Sequence, residues 1–446
     1  MSWSCRKIDQ DCGLCYIGRT LTFSTFRGVL MAAHGDVVVL GAGIVGVSIA
    51  LQLQLRGRPT ILLDQQGAGE GTSFGNAGLI QREAVMPHPF PRALATLLSY
   101  ARNQSTEAYY RGTMLPRLAI PFLQYWYNSR EDRHRTIARH YAALIAHCLD
   151  DHLALAGAAG AVDLLRPGGW LQVHEKAESL DHALKEAAYK AGNFEVAYDA
   201  LDGAQVAAME CSLRPGLAGG IHWTQPLAVV DPHALTRAYL NYFTRMGGEF
   251  RTSAVRSVER SSTGWRVATV HEPVDAIEVV VALGAWSPDV TKPLGYHPPL
   301  FVKRGYHMHY AHPEATPLGH PVLDADQGYM LVPMQRGIRL TTGAEFAHRD
   351  APPSAIPLTR AEAQARRLLP ALGRRLDADP WMGVRPCTPD MLPIIGRAPG
   401  HPGMWYAFGH CHQGLTLGPT TGRLLAEMML GETPFTDPAP YRPERF

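Results

Sequence analysis

Asp36-Val-Val-Val-Leu40, then Gly41-Ala42-Gly43-Ile44-Val45-Gly46, then a helical stretch to Gly57 and Thr60-Ile-Leu-Leu-Asp64 follow one another, and this order decides the fold. The first run is apolar throughout, as a parallel strand buried on both faces must be. It leads directly into a G-x-G-x-x-G turn. Apolar residues at Ile49, Ala50 and Leu53 keep a helical spacing, and the second strand ends on an acid. Each part has a task in holding a dinucleotide. Gly41 makes the tight turn, Gly43 lets a pyrophosphate approach the backbone, and Gly46 lets the helix pack close to the strand. The helix N-terminus offers N–H groups and a positive dipole to the phosphates. Asp64, eighteen residues beyond Gly46, is placed to accept from a ribose hydroxyl pair. A lone G-x-G-x-x-G is a weak signal, but the full succession points to a nucleotide-binding half of Rossmann type.

Spacing alone does not separate FAD from NAD, and three later segments do. Gly71-Thr-Ser73-Phe-Gly-Asn76-Ala77-Gly78 is small and hydroxyl-bearing, suited to a loop laid along a flavin. The apolar run Ile277-Glu-Val-Val-Val-Ala-Leu ends in Gly284-Ala-Trp286-Ser287. Near the C-terminus come Gly383-Val-Arg385-Pro386-Cys-Thr388-Pro389-Asp390 and Gly409-His410-Cys411-His412-Gln413-Gly414-Leu415-Thr416-Leu-Gly418. The latter opens a helix whose N-terminus would stabilise the negative charge of a reduced flavin.

Together, from Asp36 to Pro434, these segments resemble the D-amino-acid dehydrogenase branch of the D-amino-acid oxidase and glycine oxidase family of FAD-dependent oxidoreductases. The resemblance implies an α/β fold, with a Rossmann-type FAD-binding domain interleaved with an α+β substrate domain on a mostly antiparallel sheet. It implies FAD contacts at Gly41, Ala42, Gly43, Ile44, Val45, Gly46, Asp64, Ser73, Asn76, Ala77, Gly284, Trp286, Gly409, His410, Gln413, Gly414, Leu415 and Thr416. Neither Cys387 nor Cys411 suits a covalent flavin link, so FAD is expected to be held non-covalently. The implied reaction is oxidation of a D-amino acid by hydride transfer from Cα to flavin N5. The imino acid hydrolyses to a 2-oxo acid and ammonia, and electrons pass to a membrane quinone or another carrier. D-Proline or hydroxy-D-proline would be a cyclic variant. A glycine or sarcosine oxidase using oxygen is the alternative within the family, and a non-catalytic flavoprotein subunit the alternative outside it.

Such a flavoenzyme needs little acid–base apparatus, because the cofactor carries the hard chemistry. It does need a grip on the substrate carboxylate, and a guanidinium fork supplies one. Arg385 matches the family's carboxylate-binding arginine. Tyr329 matches a tyrosine that contacts the carboxylate or caps the pocket, with a packed sheet tyrosine as the other reading. Tyr306 is a further pocket candidate. His412 stands where a second basic residue can contact substrate or flavin, or serve structure alone. His410 and Gln413 are expected to meet the flavin through their backbones. The pairs His307/His309 and His410/His412 have no evident carboxylate or third ligand, so no metal is expected.

The implied domain order is a leader over 1–35, FAD-binding segments over 36–85, 231–295 and 385–446, and substrate segments over 86–230 and 296–384. Residues 1–30, with Cys5, Cys12 and Cys15, read as a disordered or non-native start, and a metal-binding or redox tail is the lesser option. Asp231-Pro232 should cap a helix. Glu249–Arg260, Trp265–Val270 and Leu300–Tyr310 read as strands, and Tyr329–Met334 with Gly337–Thr341 as a hairpin. The aromatic stretch Tyr109, Tyr110, Phe122, Tyr125, Trp126, Tyr127 is read chiefly as core packing.

Composition closes off other classes. The chain has 446 residues and a formal net charge of +2, without a Lys/Arg-dense run, which argues against nucleic acid. No stretch approaches the ~18 apolar residues of a membrane span. Four scattered cysteines beyond the leader suit a reducing compartment. The cytoplasm is the expected location, with peripheral attachment to the inner membrane left open.

Overall fold

The computed structural model describes residues 36–313 and 317–446. The leader and its cysteines lie outside the described residues. The four described cysteines, Cys148, Cys211, Cys387 and Cys411, are free thiols.

The apolar runs become strands of one six-stranded sheet. Its order is Glu249–Thr252, Thr60–Asp64, Val37–Leu40, Glu278–Val281, Met404–Phe408, Ile394–Arg397. The first five are mutually parallel, and the last is antiparallel to its neighbour. Val37–Leu40 is buried along its length. The expected continuous strand 249–260 is broken. Glu249–Thr252 completes the parallel sheet, and Val255–Arg260 leaves it for a three-stranded antiparallel sheet with Trp265–Thr269 and Val274–Ala276. The helix Pro232–Arg245 forms as expected, with the Asp231 carboxylate accepting from the N–H groups of His233 and Ala234, both at 3.0 Å.

Two helices converge behind the parallel sheet. In Gly414–Leu430, a Cβ at Gly418 would sit 3.0 Å from Ile44 Cγ1, and one at Gly422 would sit 2.7 Å from the Ser48 backbone. Only glycines let this helix lie so close to Ile44–Leu55. The N-terminal ends of both helices therefore open onto the same space.

The second main sheet has ten strands and is mostly antiparallel. Its longest strand, Phe301–Tyr310, pairs on one side with Trp381–Cys387 and on the other with Gly337–Thr341 and Ala344–Phe346. The hairpin is present, with Met334 opposite Gly337. The helix Ile356–Leu368 covers one face of this sheet, packing Leu358, Ala361 and Ala365 with Met308, Tyr310, Tyr329 and Leu331. The other face looks towards the carboxyl ends of the parallel strands, and the site lies between them.

Candidate active site

A cavity of about 1730 Å³ runs from Gly43 and Asp64 to Tyr141, Lys303 and His412. A small-ligand pocket is commonly ~300–1,000 Å³, so this one has room for a dinucleotide and a small substrate together.

At one end the sequence motif is built as its chemistry requires. Gly41 has φ +102°, a conformation that favours glycine, and a Cβ at Gly46 would sit 1.8 Å from Gly41 O. The Ser73 hydroxyl accepts from Ile44 N at 3.0 Å and lies 3.2 Å from where a Gly43 Cβ would stand. Any side chain at Gly43 would fill this cradle. Asp64 accepts from Ala42 N at 2.7 Å and Gln66 N at 2.9 Å while still lining the cavity. Burial raises its pKa, and those amide bonds oppose the shift. Arg339 fixes the following loop, donating to Phe74 O at 3.2 Å and Asn76 O at 2.6 Å. Its Nε faces His309 Nε2 at 3.1 Å, and His309 Nδ1 meets Asp377 at 2.8 Å. The His307/His309 pair thus has a carboxylate beside it after all, but a guanidinium occupies the place a cation would take.

Ala77, Gly284 and Trp286 line the same cavity, as do His410, Gln413, Gly414 and Leu415 from the C-terminal helix start. Gln413 Nε2 donates to Gln81 Oε1 at 2.8 Å, and its own Oε1 is buried without a partner. The glycine cradle, two converging helix N-termini and an orphaned acceptor fit FAD. Ala42, Gly46 and Gly409 stand behind the wall and shape it. His410 turns its ring to Thr421 Oγ1 at 2.9 Å, and burial lowers its pKa to about 3. The Thr416 side chain does not line the cavity. Its hydroxyl is spent on Gln81 N and Leu79 O, each at 3.3 Å, and is buried behind the helix end.

At the other end Arg385 lines the cavity. It stands opposite Lys303 in the antiparallel register, so both side chains share the cavity face. Its Nη1 donates to Gly343 O at 3.2 Å and Nη2 to Thr342 O at 3.5 Å. No carboxylate lies within 4.0 Å of it among the described residues. Burial lowers its pKa. His412 lies beside it, its ring 5.0 Å from that of His88. Burial, then the neighbouring His88, Lys303 and Arg385, hold His412 well below the ordinary histidine range.

Tyr306 and Tyr329 both border the cavity, but their hydroxyls are directed away from it. Met330 and Tyr329 both touch the cavity, while the ring of Tyr329 packs into the cluster under Ile356–Leu368. Its hydroxyl lies beside Asp324, and burial followed by that carboxylate pushes the phenol's pKa far up. Tyr306 is committed elsewhere. Its hydroxyl donates to Glu345 and accepts from Arg304 Nη2 and Ser354 N, both at 2.9 Å. Arg304 and Glu345 are themselves fully buried, 3.0 Å apart, and this satisfied network leaves no group for a substrate.

Sequence reasoning missed Lys303, His88 and Tyr125. Tyr125 is both core and wall: it packs with Phe301 and Phe122 and also lines the cavity, with the Lys303 ammonium 4.9 Å from its ring centre. Trp126 and Tyr127 are exposed instead of packed. The alternation of Lys303 and Gly305 on one strand face was the available signal, and it becomes readable once the Arg385 pairing is known.

Comparison with known proteins agrees with this geometry. The family model described as "DAO: FAD dependent oxidoreductase" matches residues 36–428. A D-amino-acid oxidase of Bradyrhizobium diazoefficiens is 29% identical over 92% of this chain and 98% of its own length. A D-amino acid dehydrogenase of Methylobacterium nodulans is 28% identical over 89% of this chain and 96% of its own. Among solved structures, a glycine oxidase from Geobacillus kaustophilus superposes with a TM-score of 0.70 at 22% identity, covering 92% of this chain and 99% of that one.

Proposed function

The chain belongs to the DAO family of FAD-dependent oxidoreductases, and from that premise we propose that it is a D-amino-acid dehydrogenase with non-covalently held FAD. The observation that carries the reading is Arg385, an enclosed guanidinium facing the cavity with only two long bonds to carbonyls. A guanidinium has five N–H donors in a fixed fork, so a carboxylate can still be gripped in a bidentate manner. FAD, when bound, supplies the acceptor for the hydride leaving Cα. The residues of the chain do the rest. Arg385 fixes the carboxylate and so sets which C–H faces the cofactor. His412 and His88, both held neutral, accept no proton from the substrate ammonium at neutral pH, so the amine enters deprotonated from solvent. The aromatic wall of Phe122 and Tyr125 excludes water. The imino product then hydrolyses, except with D-proline or hydroxy-D-proline, where the imine stays in the ring.

A quinone acceptor is favoured by the helices at the cavity mouth. Leu97 and Leu115 line the opening, while Leu94, Ile120 and Leu123 are exposed by 70%, 69% and 66%. Arg92, Arg117 and Arg130 flank them. An apolar surface rimmed by arginines suits the interface of an anionic membrane, where a lipid-soluble acceptor would be met. Among the described residues no helix is long and apolar enough to cross a membrane. The oxidase reading keeps the same clamp and differs only in using oxygen. Anaerobic reduction by a panel of D-amino acids, then reoxidation by a soluble quinone analogue and by oxygen, tests both. Fast quinone and slow oxygen reoxidation supports the dehydrogenase; the reverse order makes it an oxidase; and reduction by L-amino acids or sarcosine alone overturns the substrate assignment.

A further inference from the structure

The clamp does not stand alone. Lys303 lies directly opposite Arg385 across the strand pair, and no carboxylate lies within 4.0 Å of its ammonium among the described residues. Several acids that share the cavity wall have partners elsewhere. Glu186 pairs with Lys190 at 3.2 Å, Glu107 takes the Tyr100 hydroxyl, and Glu83 accepts from Trp170 and Gln81 at 2.9 Å each. Among the cations of the cavity wall, Lys190 pairs with Glu186 and Arg349 with Asp289 and Asp350, whereas Arg385 and Lys303 have no carboxylate within 4.0 Å among the described residues, and taking a cation out of water without a counter-charge is costly.

The two heads also diverge. The Arg385 fork lies over Gly305, whose Cβ would meet Nη2 at 2.5 Å and Nη1 at 2.9 Å. The Lys303 ammonium leans the other way, 4.9 Å from the Tyr125 ring centre and 5.7 Å from that of Phe301. Cβ atoms directly opposite across an antiparallel pair are ~5 Å apart, and heads leaning towards opposite neighbours stand further apart than that. Two carboxylates joined by a short chain suit such diverging heads better than one.

Resting on the amino-acid oxidation proposed above, we infer that the substrate carries a second anionic group, its α-carboxylate on Arg385 and a side-chain carboxylate on Lys303, as in an acidic D-amino acid. Tyr125 and Phe301 then serve as the walls that hold the lysine in place.

The test compares isosteres on the holoenzyme: kcat/KM for D-glutamate against D-glutamine, and the dissociation constants of glutarate against butanoate, read from the flavin absorbance without turnover. One charge-assisted contact is worth ~1.5–3 kcal/mol, so wild type should prefer the dianion roughly ten- to a hundredfold in both ratios. Lys303→Met should bring both ratios near one, and Lys303→Arg should keep most of the preference. Equal handling of the charged and neutral members by wild type overturns the inference. So does a Lys303→Met variant that keeps the preference, or one that moves only the flavin potential, as a lysine serving the cofactor would. If no D-amino acid is oxidised yet glutarate still binds more tightly than butanoate, the function proposed above falls and the two-carboxylate chamber stands.

Discussion

Replacing Gly305 by alanine tests the substrate clamp without touching it. The position has no positive φ, so alanine's backbone preferences are met. A Cβ there would lie 2.5 Å from Arg385 Nη2, 2.7 Å from Cζ and 2.9 Å from Nη1. Ordinary contact needs ~3.5 Å or more between such atoms, so the guanidinium must move by about 1 Å. The obstacle is the end of a flexible side chain, and the sheet need not yield. A positioning error of that size costs ~10²-fold in rate, which corresponds to about 2.7 kcal/mol. Stopped-flow reduction by the best D-amino acid should therefore show kcat/KM for Gly305→Ala down ~100-fold, with flavin content and unfolding midpoint close to wild type. In the Arg385→Ala background the same change should cost almost nothing, because the clashing group is gone, and the two effects will fail to add. Wild-type kinetics in Gly305→Ala, or full additivity with Arg385→Ala, would refute the placement of the carboxylate on Arg385.

Other positions give separate tests. Gly43→Val drives a side chain into the cradle beside Ser73 and should yield folded, colourless apoprotein; a yellow variant with the wild-type FAD affinity removes the pyrophosphate from Gly43. Arg339→Met frees the carbonyls of Phe74 and Asn76, and at ~1 kcal/mol per bond FAD should dissociate roughly ten- to thirtyfold more readily in equilibrium dialysis. His152 joins Tyr239 OH at 3.0 Å to Leu415 O at 2.7 Å under the C-terminal helix end, and burial lowers its pKa to about 4. The unfolded chain, with an ordinary histidine, takes up a proton first as pH falls. Stability is thus full above pH ~6.5 and declines towards pH 4, by about 1.4 kcal/mol per unit. Urea unfolding at pH 7 and pH 4.5 should differ by ~3 kcal/mol more in wild type than in His152→Gln, and equal slopes would exclude His152 as the source. FAD should leave with the supernatant on acid precipitation, whereas flavin retained in the pellet would mean a covalent link.

The nucleotide half was legible because its signals are local. The run 36–40, the glycines at 41, 43 and 46, and the acid at 64 each constrain neighbours within one supersecondary unit, and they fold accordingly. The motif also brought Arg385 to the cavity wall. The tyrosines were not legible, because a strand residue's role depends on which face its sheet turns to the cavity. That is settled by pairing between segments far apart in the chain. Tyr306 looks like a pocket residue until Glu345 and Arg304 claim its hydroxyl. Tyr329 borders the cavity, but its hydroxyl lies beside Asp324.

Lys303 shows the same limit from the other side. In the sequence Lys303-Arg304-Gly305 offers two adjacent cations with nothing to choose between them. The pleat separates their fates. Arg304 goes to the interior face, where Glu345 and four further acceptors occupy it. Lys303 goes to the cavity face with Gly305 and Arg385, where no carboxylate lies within 4.0 Å of it among the described residues. The residue whose charge is satisfied by the fold stabilises the fold, and the one whose charge is left over is available to a ligand. Applied to the cations of the cavity wall, that criterion selects Arg385 and Lys303 over Lys190 and Arg349, whose charges are met by Glu186 and by Asp289 and Asp350.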